Sequence, residues 1–499
     1  MITNDKTVNS IPMQKSSLLD INKASLMSVV IASVLGILIS IAVGQFGWLT
    51  LVTIPALAMV FSTVSNPSLG LMALIIVIFA QVQRAFTEFL GLPGPGQPLV
   101  GFLIMVIVIR MLLFNERSVN WLRNSFILVV YVVFLMVSVV AAQNMEPAIT
   151  ELIDLAQNIL ISSLAIYIIK ESSSLRNAIW AVIFAGILMA SISVYQNLTG
   201  TFSNEYWGFG GNEFSGYVGR PRITGPYLTP NPYAQVLAII FIVALDRTWH
   251  ESKMILRLVA GAGALLCALA LIFTDSRGGF ANLIFTIFVY FLFNRPNFSA
   301  MLVISVFSLV VIQFLPGNFA ERILTLTELN PFKEDTAVVA DESFRGRTSE
   351  NIAAMMMFSD YPIFGVGLSN YGENYQKYSR EIGLDPRREE REPASLYLQL
   401  LAEQGVIGTS VFLLLVVSIF MKLLKAQRDF KLLGMRDEMY ITSALFASLA
   451  GYMFMSIYKN NAYTNVFWML VAICISAAQI ATNIMKPDEE SGNSMEFSS

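Results

Sequence analysis

Residues 176–197 read RNAIWAVIFAGILMASISVYQN, and between Asn177 and Asn197 there is no charged side chain. A helix needs roughly 20 mostly apolar residues to cross a bilayer. Such a run has no soluble partner large enough to cover it on every side, so it predicts a membrane span. Working outward, similar runs occur at 25–45, 47–63, 68–86, 98–114, 124–142 and 149–169. Beyond it they occur at 231–246, 254–274, 279–294, 299–316, 405–424, 438–458 and 464–482. The reading is an all-α polytopic membrane protein with about 12–14 transmembrane helices. Polar breaks separate most of the runs, such as Gly91–Gly96 (GLPGPG) and Asn294–Asn297 (NRPN).

Composition agrees. The 499-residue chain is 55% hydrophobic and 13% charged, about half the charge of a soluble domain. A net charge of −3 supplies no basic field for nucleic acid. The two cysteines, Cys267 and Cys474, sit in apolar runs and read as small core residues. With His250 the single histidine, no histidine-built metal site is expected. The polar start carries Lys6, Lys15 and Lys23, and no small-residue cleavage site follows the first apolar run, so the first helix is expected to be retained.

Lysine and arginine near helix ends set orientation. With the N-terminus inside, the inner loops hold Arg117 and Arg123; Lys170 and Arg176; Arg247, Lys253 and Arg257; Arg295; and Lys422, Lys425, Arg428, Lys431 and Arg436. The short outer loops hold almost none. The expected organisation is an inner tail at 1–24, eleven helices within 25–316, a large outer loop at 317–404, three helices within 405–482 and an inner tail at 483–499. A second outer loop covers 198–230. The 317–404 loop contains two helix-like pieces, Ser349–Phe358 and Ala394–Gln404, and its Gly, Pro and aromatic punctuation predicts a packed subdomain.

The outer segments break the charge rule. They carry Arg220 and Arg222, Arg277 in TDSRGGF, Arg345 and Arg347 in SFRGRTSE, and Arg380, Arg387, Arg388 and Arg391. Arginine keeps its charge and matches phosphate oxygens with a fork of donors. Arg277 also opens a helix, whose free N–H groups and positive dipole end favour an anion. Structural roles suit the same residues: Ser276 as a helix cap, Arg277 reaching for headgroups, and Asp385–Glu392 as a solvated loop face. In Thr224–Ala234, Asn231 is expected to cap a helix with Pro232 in its first turn. Glycines in Phe364–Asn370 (FGVGLSN) suit a tight turn. Tyr371, Tyr375, Tyr378 and Tyr397 suit either sugar stacking or an interfacial belt. Charges inside predicted spans, such as Arg84, Arg110, Glu151, Asp154 and Asp246, lie near span ends, which argues against an ion-coupled transporter.

Four of these pieces, in this order, resemble the O-antigen ligase and O-antigen polymerase superfamily. They are Arg222–Ala234 (RITGPYLTPNPYA), Ser276–Gly279 (SRGG), Gly346–Tyr371 with its DYPIFGVGLSNY end, and Ser395–Gly408 (SLYLQLLAEQGVIG). The resemblance implies a metal-independent, cofactor-free glycosyltransferase of the inner membrane, facing the periplasm. Its donor would be a glycan on undecaprenyl diphosphate, transferred with inversion. It implies diphosphate contacts at Arg222 and Arg277, and further ones at Arg220, Arg345 and Arg347. The large periplasmic loop favours a polymerase of repeat units for O-antigen, capsule or exopolysaccharide, working beside a flippase and a chain-length regulator. Ligation to lipid A–core is the nearest alternative; a lipid-linked glycan transporter and a non-catalytic scaffold are the others. One position departs from the pattern: Ala394 stands where many members have a histidine that assists the acceptor hydroxyl. Alanine cannot take a proton, so Glu392, Glu390, Glu389 and Glu373 become the candidate bases, Glu392 first.

Overall fold

Thirteen long helices and one hairpin make up the residues that the computed structural model describes: 62–114, 121–215, 220–294, 342–383, 391–461 and 463–485. The predicted spans at 25–45 and 299–316, and nearly all of 47–63, lie outside them. The chain divides into two units, Met1–Ser65 and Asn66–Ser499, and the second is described here. Its helices are α1 (Pro67–Phe79), α2 (Gly96–Phe114), α3 (Trp121–Val140), α4 (Met145–Ile168) and α5 (Ser172–Thr199). Then follow α6 (Pro230–His250), α7 (Met254–Phe273), α8 (Arg277–Phe293), α9 (Glu342–Asp360) and α10 (Tyr371–Ile382). The last three are α11 (Leu396–Leu432), α12 (Arg436–Met455) and α13 (Asn465–Met485).

Among the described residues eight helices are long and apolar enough to cross a membrane, or nine if α1 and Val82–Phe89, bent by 78°, form one broken span. The chain is therefore an all-α, multi-pass membrane protein. Helix α8 is apolar but shorter. The loop at 198–230 adds an element the apolar pattern does not reveal. Strands β1 (Asn212–Ser215) and β2 (Arg220–Ile223) pair antiparallel, with Glu213 opposite Arg222.

Local signals start and stop the helices. Asn66 accepts from Ser68 N–H ahead of Pro67, and Asn144 accepts from Glu146 N–H ahead of α4. Glu171 and Ser174 form a reciprocal box at the start of α5. Helix α6 is enclosed by α5, α7, α8 and α12, and α13 by α4, α11 and α12. In a bilayer, close packing and internal hydrogen bonds carry helix association, since lipid tails compete for apolar contact. The C-terminal end of α6 and its neighbours show both. Arg247 is fully buried between Asp246, at 2.5 Å, and Asp437, at 2.6 Å. Tyr290 donates to Asp246 at 2.8 Å, and Arg176 pairs with the buried Glu251.

At the other end, Tyr361–Asn370 is joined to α11 by main-chain bonds. Val366 N–H donates to Ala402 O (2.8 Å), Gly367 N–H to Glu403 O (3.0 Å) and Val406 N–H to Pro362 O (2.8 Å). Helix α11 makes room by breaking at Gly405, at φ +64° and ψ −167°, a region open essentially to glycine alone. The same strip touches the α3–α4 turn: Gln143 N–H donates to Val366 O, and Asn370 and Asn144 bond reciprocally at 2.7 and 2.9 Å. Behind it α9 and α10 form a second small core containing Ala353, Met357, Tyr371 and Tyr375. Ala402 and Leu398 of α11 join that core.

Candidate functional site

The α7–α8 turn gathers the two foremost arginines. Arg222 on β2 donates through Nε to Thr274 O (3.0 Å) and, at 3.5 Å, through Nη2 to Asp275 O. That sets it against the turn whose next helical residue is Arg277. The turn is held firmly. Ser276 N–H donates to Thr274 Oγ1 (3.2 Å), while Ser276 Oγ caps α8 by accepting from Gly279 N–H (3.0 Å). A Cβ on Gly279 would fall 2.4 Å from that of Ala234, so glycine lets α8 start directly against α6. The Arg222 guanidinium and the half-buried Arg277, first residue of α8, thus come to one helix N-terminus, an arrangement suited to an anion.

Asn231 does something other than expected. The cap of α6 falls two residues earlier, at Thr229 with Pro230 the first helical residue, and Asn231 Oδ1 accepts from Ser276 Oγ at 2.7 Å. Pro230 fits the first helical position because the donor it lacks would be unpaired there. That shift moves Asn231 inside the helix and frees it to tie the α7–α8 turn to α6.

One turn along α6, Gln235 bonds to Asn461 and donates to Tyr452 O at 3.0 Å. Asn461 lines a polar cavity of about 570 Å³. Glu151, Arg391, Glu392, Glu403 and Tyr463 line it too. Asn231 and Gln235 are about 6 Å apart along the helix, so the arginine turn and this cavity share one support. A second link runs through the end of α12. The Cβ position of Gly278 faces the Met455 thioether at 3.3 to 3.4 Å, and Leu396 N–H donates to Ser456 O (3.0 Å) and Lys459 O (3.2 Å). Ala394, half-buried, lies two residues before Leu396. The first cavity shares Asn461 and Thr464 with a neighbour of about 470 Å³ lined by Arg84, Tyr227 and Pro232.

The other expected residues fall as follows. Glu392 is exposed at the cavity and accepts from Asn460 Nδ2 at 2.8 Å. Arg391 Nη1 donates to Glu350 Oε1 at 2.9 Å. Burial pushes the Glu350 carboxyl up, and Arg391 with Arg347 partly offsets it. Burial pushes the Lys459 ammonium down, opposed by Glu392 and Glu350. Arg347 is exposed on α9 within reach of this cluster. Arg220 lies on β2, paired across the ladder with Ser215, and Arg345 lies on α9. Glu373 accepts from Asn144 at 2.8 Å on the α3–α4 turn and does not line the cavity. Glu389 and Glu390 lie outside the described residues. Among the described residues no group of three His, Cys, Asp or Glu side chains could hold a metal ion.

Three of the four tyrosines are buried, and Tyr371 also lines the cavity. Tyr371, Tyr375 and Tyr378 are buried in the small α9–α10 core, bonded to Glu350 O (2.6 Å), Ser349 Oγ (3.1 Å) and Asp360 Oδ2 (2.6 Å). Tyr397 donates to Met453 O at 2.8 Å. Residues that the sequence reading passed over include Glu403, buried at 2% exposure and bonded by Tyr463 OH at 3.2 Å, and the Asn460–Asn461 pair.

Residues 262–413 match the family model described as O-antigen ligase, a segment holding α8, the α9–α10 subdomain and the first half of α11. No curated protein matches the chain. Over that segment the match supports the O-antigen ligase/polymerase superfamily, and with it ligase- or polymerase-type activity in general terms.

Proposed function

We propose that the chain is a glycosyltransferase of the bacterial inner membrane. It would join undecaprenyl-diphosphate-linked oligosaccharide repeat units on the periplasmic face. The observation that carries this reading is the meeting of Arg222 and Arg277 at the capped start of α8, one α6 turn from a polar cavity. The diphosphate of the donor sits at the arginines and the acceptor sugar in the cavity. The acceptor hydroxyl attacks the anomeric carbon as the bond from that carbon to the phosphate oxygen breaks, inverting the centre. Its proton passes to a carboxylate of the cavity. Charge grows on the leaving diphosphate, where fixed guanidinium groups stabilise it without reorganising. Arg220, Arg345 and Arg347 extend the cationic field toward the rest of the lipid-linked substrate. A flippase delivers that substrate, and a chain-length regulator is the expected partner.

The family description favours a second reading, in which the acceptor is lipid A–core. Purified protein given lipid-linked repeat units alone tests the choice. Lengthened lipid-linked glycan supports polymerisation. Glycan that appears only on added lipid A–core supports ligation. No new glycosidic bond with either acceptor refutes both.

A further inference from the structure

We propose that Glu151 is the catalytic base that takes the acceptor hydroxyl's proton; this rests on the transferase reading above. Glu151 lies on α4, a helix outside the matched family segment, and no arginine motif points to it. The structure brings it into the cavity in two ways. The start of α4 is fixed by the reciprocal Asn144–Asn370 bonds. Seven residues after Glu151, on the same helix face, Asn158 Nδ2 donates to Tyr463 O at 3.1 Å, and Ser162 Oγ continues that face onto Trp468 O at 2.9 Å. The face carrying Glu151 is therefore the one applied to Tyr463, and Glu151 lines the 570 Å³ cavity together with Glu392.

Three carboxylates line that cavity, and hydrogen bonding separates them. Glu403 is buried and accepts from Tyr463 OH, Gln399 Nε2 and the Ser369 main chain. Glu392 accepts from Asn460. Glu151 is half-buried and accepts no hydrogen bond from any described residue. Its lone pairs are open to an incoming hydroxyl, and a base must lie within hydrogen-bond reach of the proton it removes. Groups facing it are the carboxylates of Glu392 and Glu403, the hydroxyl of Tyr463 and, on its own helix, Asp154. The side-chain oxygen of Asn460 is also buried in the cavity wall without a hydrogen bond among the described residues, a vacancy that a sugar hydroxyl would fill. In the step, the acceptor O–H proton moves to Glu151, the new C–O bond forms at the anomeric carbon, and the diphosphate leaves with the electron pair of the broken bond. Glu151 then returns the proton to water.

The test uses full-length protein in detergent with lipid-linked repeat units, measuring the transfer rate and thermal unfolding. Glu151→Gln should lose about 100-fold or more in rate with unchanged unfolding. Added formate should restore transfer to Glu151→Ala and leave Arg277→Ala inactive. Asp154→Asn, an exposed neighbour on the same helix, should transfer at the wild-type rate. The proposal is overturned if Glu151→Gln stays within tenfold of wild type, if formate fails to restore Glu151→Ala, or if Asp154→Asn loses as much as Glu151→Gln. If Arg222→Ala and Arg277→Ala transfer normally, the broader transferase site is wrong instead.

Discussion

Replacing Gly405 by alanine should separate the α9–α10 subdomain from the membrane helices. An added Cβ would lie 2.3 Å from Ile363 O, 2.4 Å from Ile363 C and 2.6 Å from Phe364 N. All three are main-chain atoms, so no side chain can swing aside. Holding a non-glycine residue at φ +64° and ψ −167° costs about 1–3 kcal/mol. Relieving the clash would part the strip from α11. That loses the bonds from Val366, Gly367 and Val406, each worth about 1 kcal/mol. The combined penalty is about 4–6 kcal/mol. The assay is urea-induced unfolding in detergent, followed by tryptophan fluorescence and by protease cleavage within residues 342–395. Gly405→Ala should become cleavable well before the membrane helices unfold. Gly101→Ala is the control, because its Cβ meets nothing within 4 Å and alanine is the better helix former. A Gly405→Ala protein as resistant to cleavage as wild type would refute the reasoning.

Arg222→Ala and Arg277→Ala should abolish transfer while expression persists, and the lysine variants should remain poor because lysine lacks the two-pronged donor; radiolabelled product on a gel reads both. Ala394→His should leave the transfer rate within about twofold, as the proposed base already serves the acceptor, whereas a large gain would point to a lost histidine function. Since burial pushes Lys459 down, the folded protein binds fewer protons than the unfolded chain between the lowered and the ordinary lysine pKa. Stability should therefore rise with pH across that window, and Lys459→Met should flatten the rise in denaturant melts. Arg247→Ala leaves Asp246 buried without its guanidinium, with Tyr290 and His250 left to bond it. It should cost about 3–5 kcal/mol, seen as loss of folded protein on size-exclusion chromatography.

Much of the fold was legible because the bilayer imposes a coarse code. Residues 176–197 declare a helix through length and apolarity alone, and α5 contains them. Ser276 as a cap was legible because capping chemistry is local. Asn231 misled for the same reason: its type suits a cap, but Thr229 and Pro230 start the helix and tertiary contact with Ser276 decides its bond. The β1–β2 hairpin was hidden because four-residue strands carry too little periodicity. Tyr371 and Tyr375 show a further limit, since aromatic residues look alike in a core, at an interface or under a sugar. Of the site, the arginines stood out against the charge rule. Glu151 did not, because a carboxylate near a span end reads as a boundary until Asn158 and Tyr463 reveal which way its face turns.

The joint between Tyr361–Asn370 and α11 is made of peptide groups. Peptide groups are common to every sequence, so the joint asks little of the side chains that flank it, provided Gly365, Gly367 and Gly405 are kept. The α9–α10 subdomain is in that sense an exchangeable cap on a fixed socket. A chimera that swaps α9 and α10 for foreign helices, cut on either side of the strip, should still seat in the membrane portion and present a new surface to the acceptor. Acceptor preference and transfer chemistry would then be tunable as separate parts of one protein.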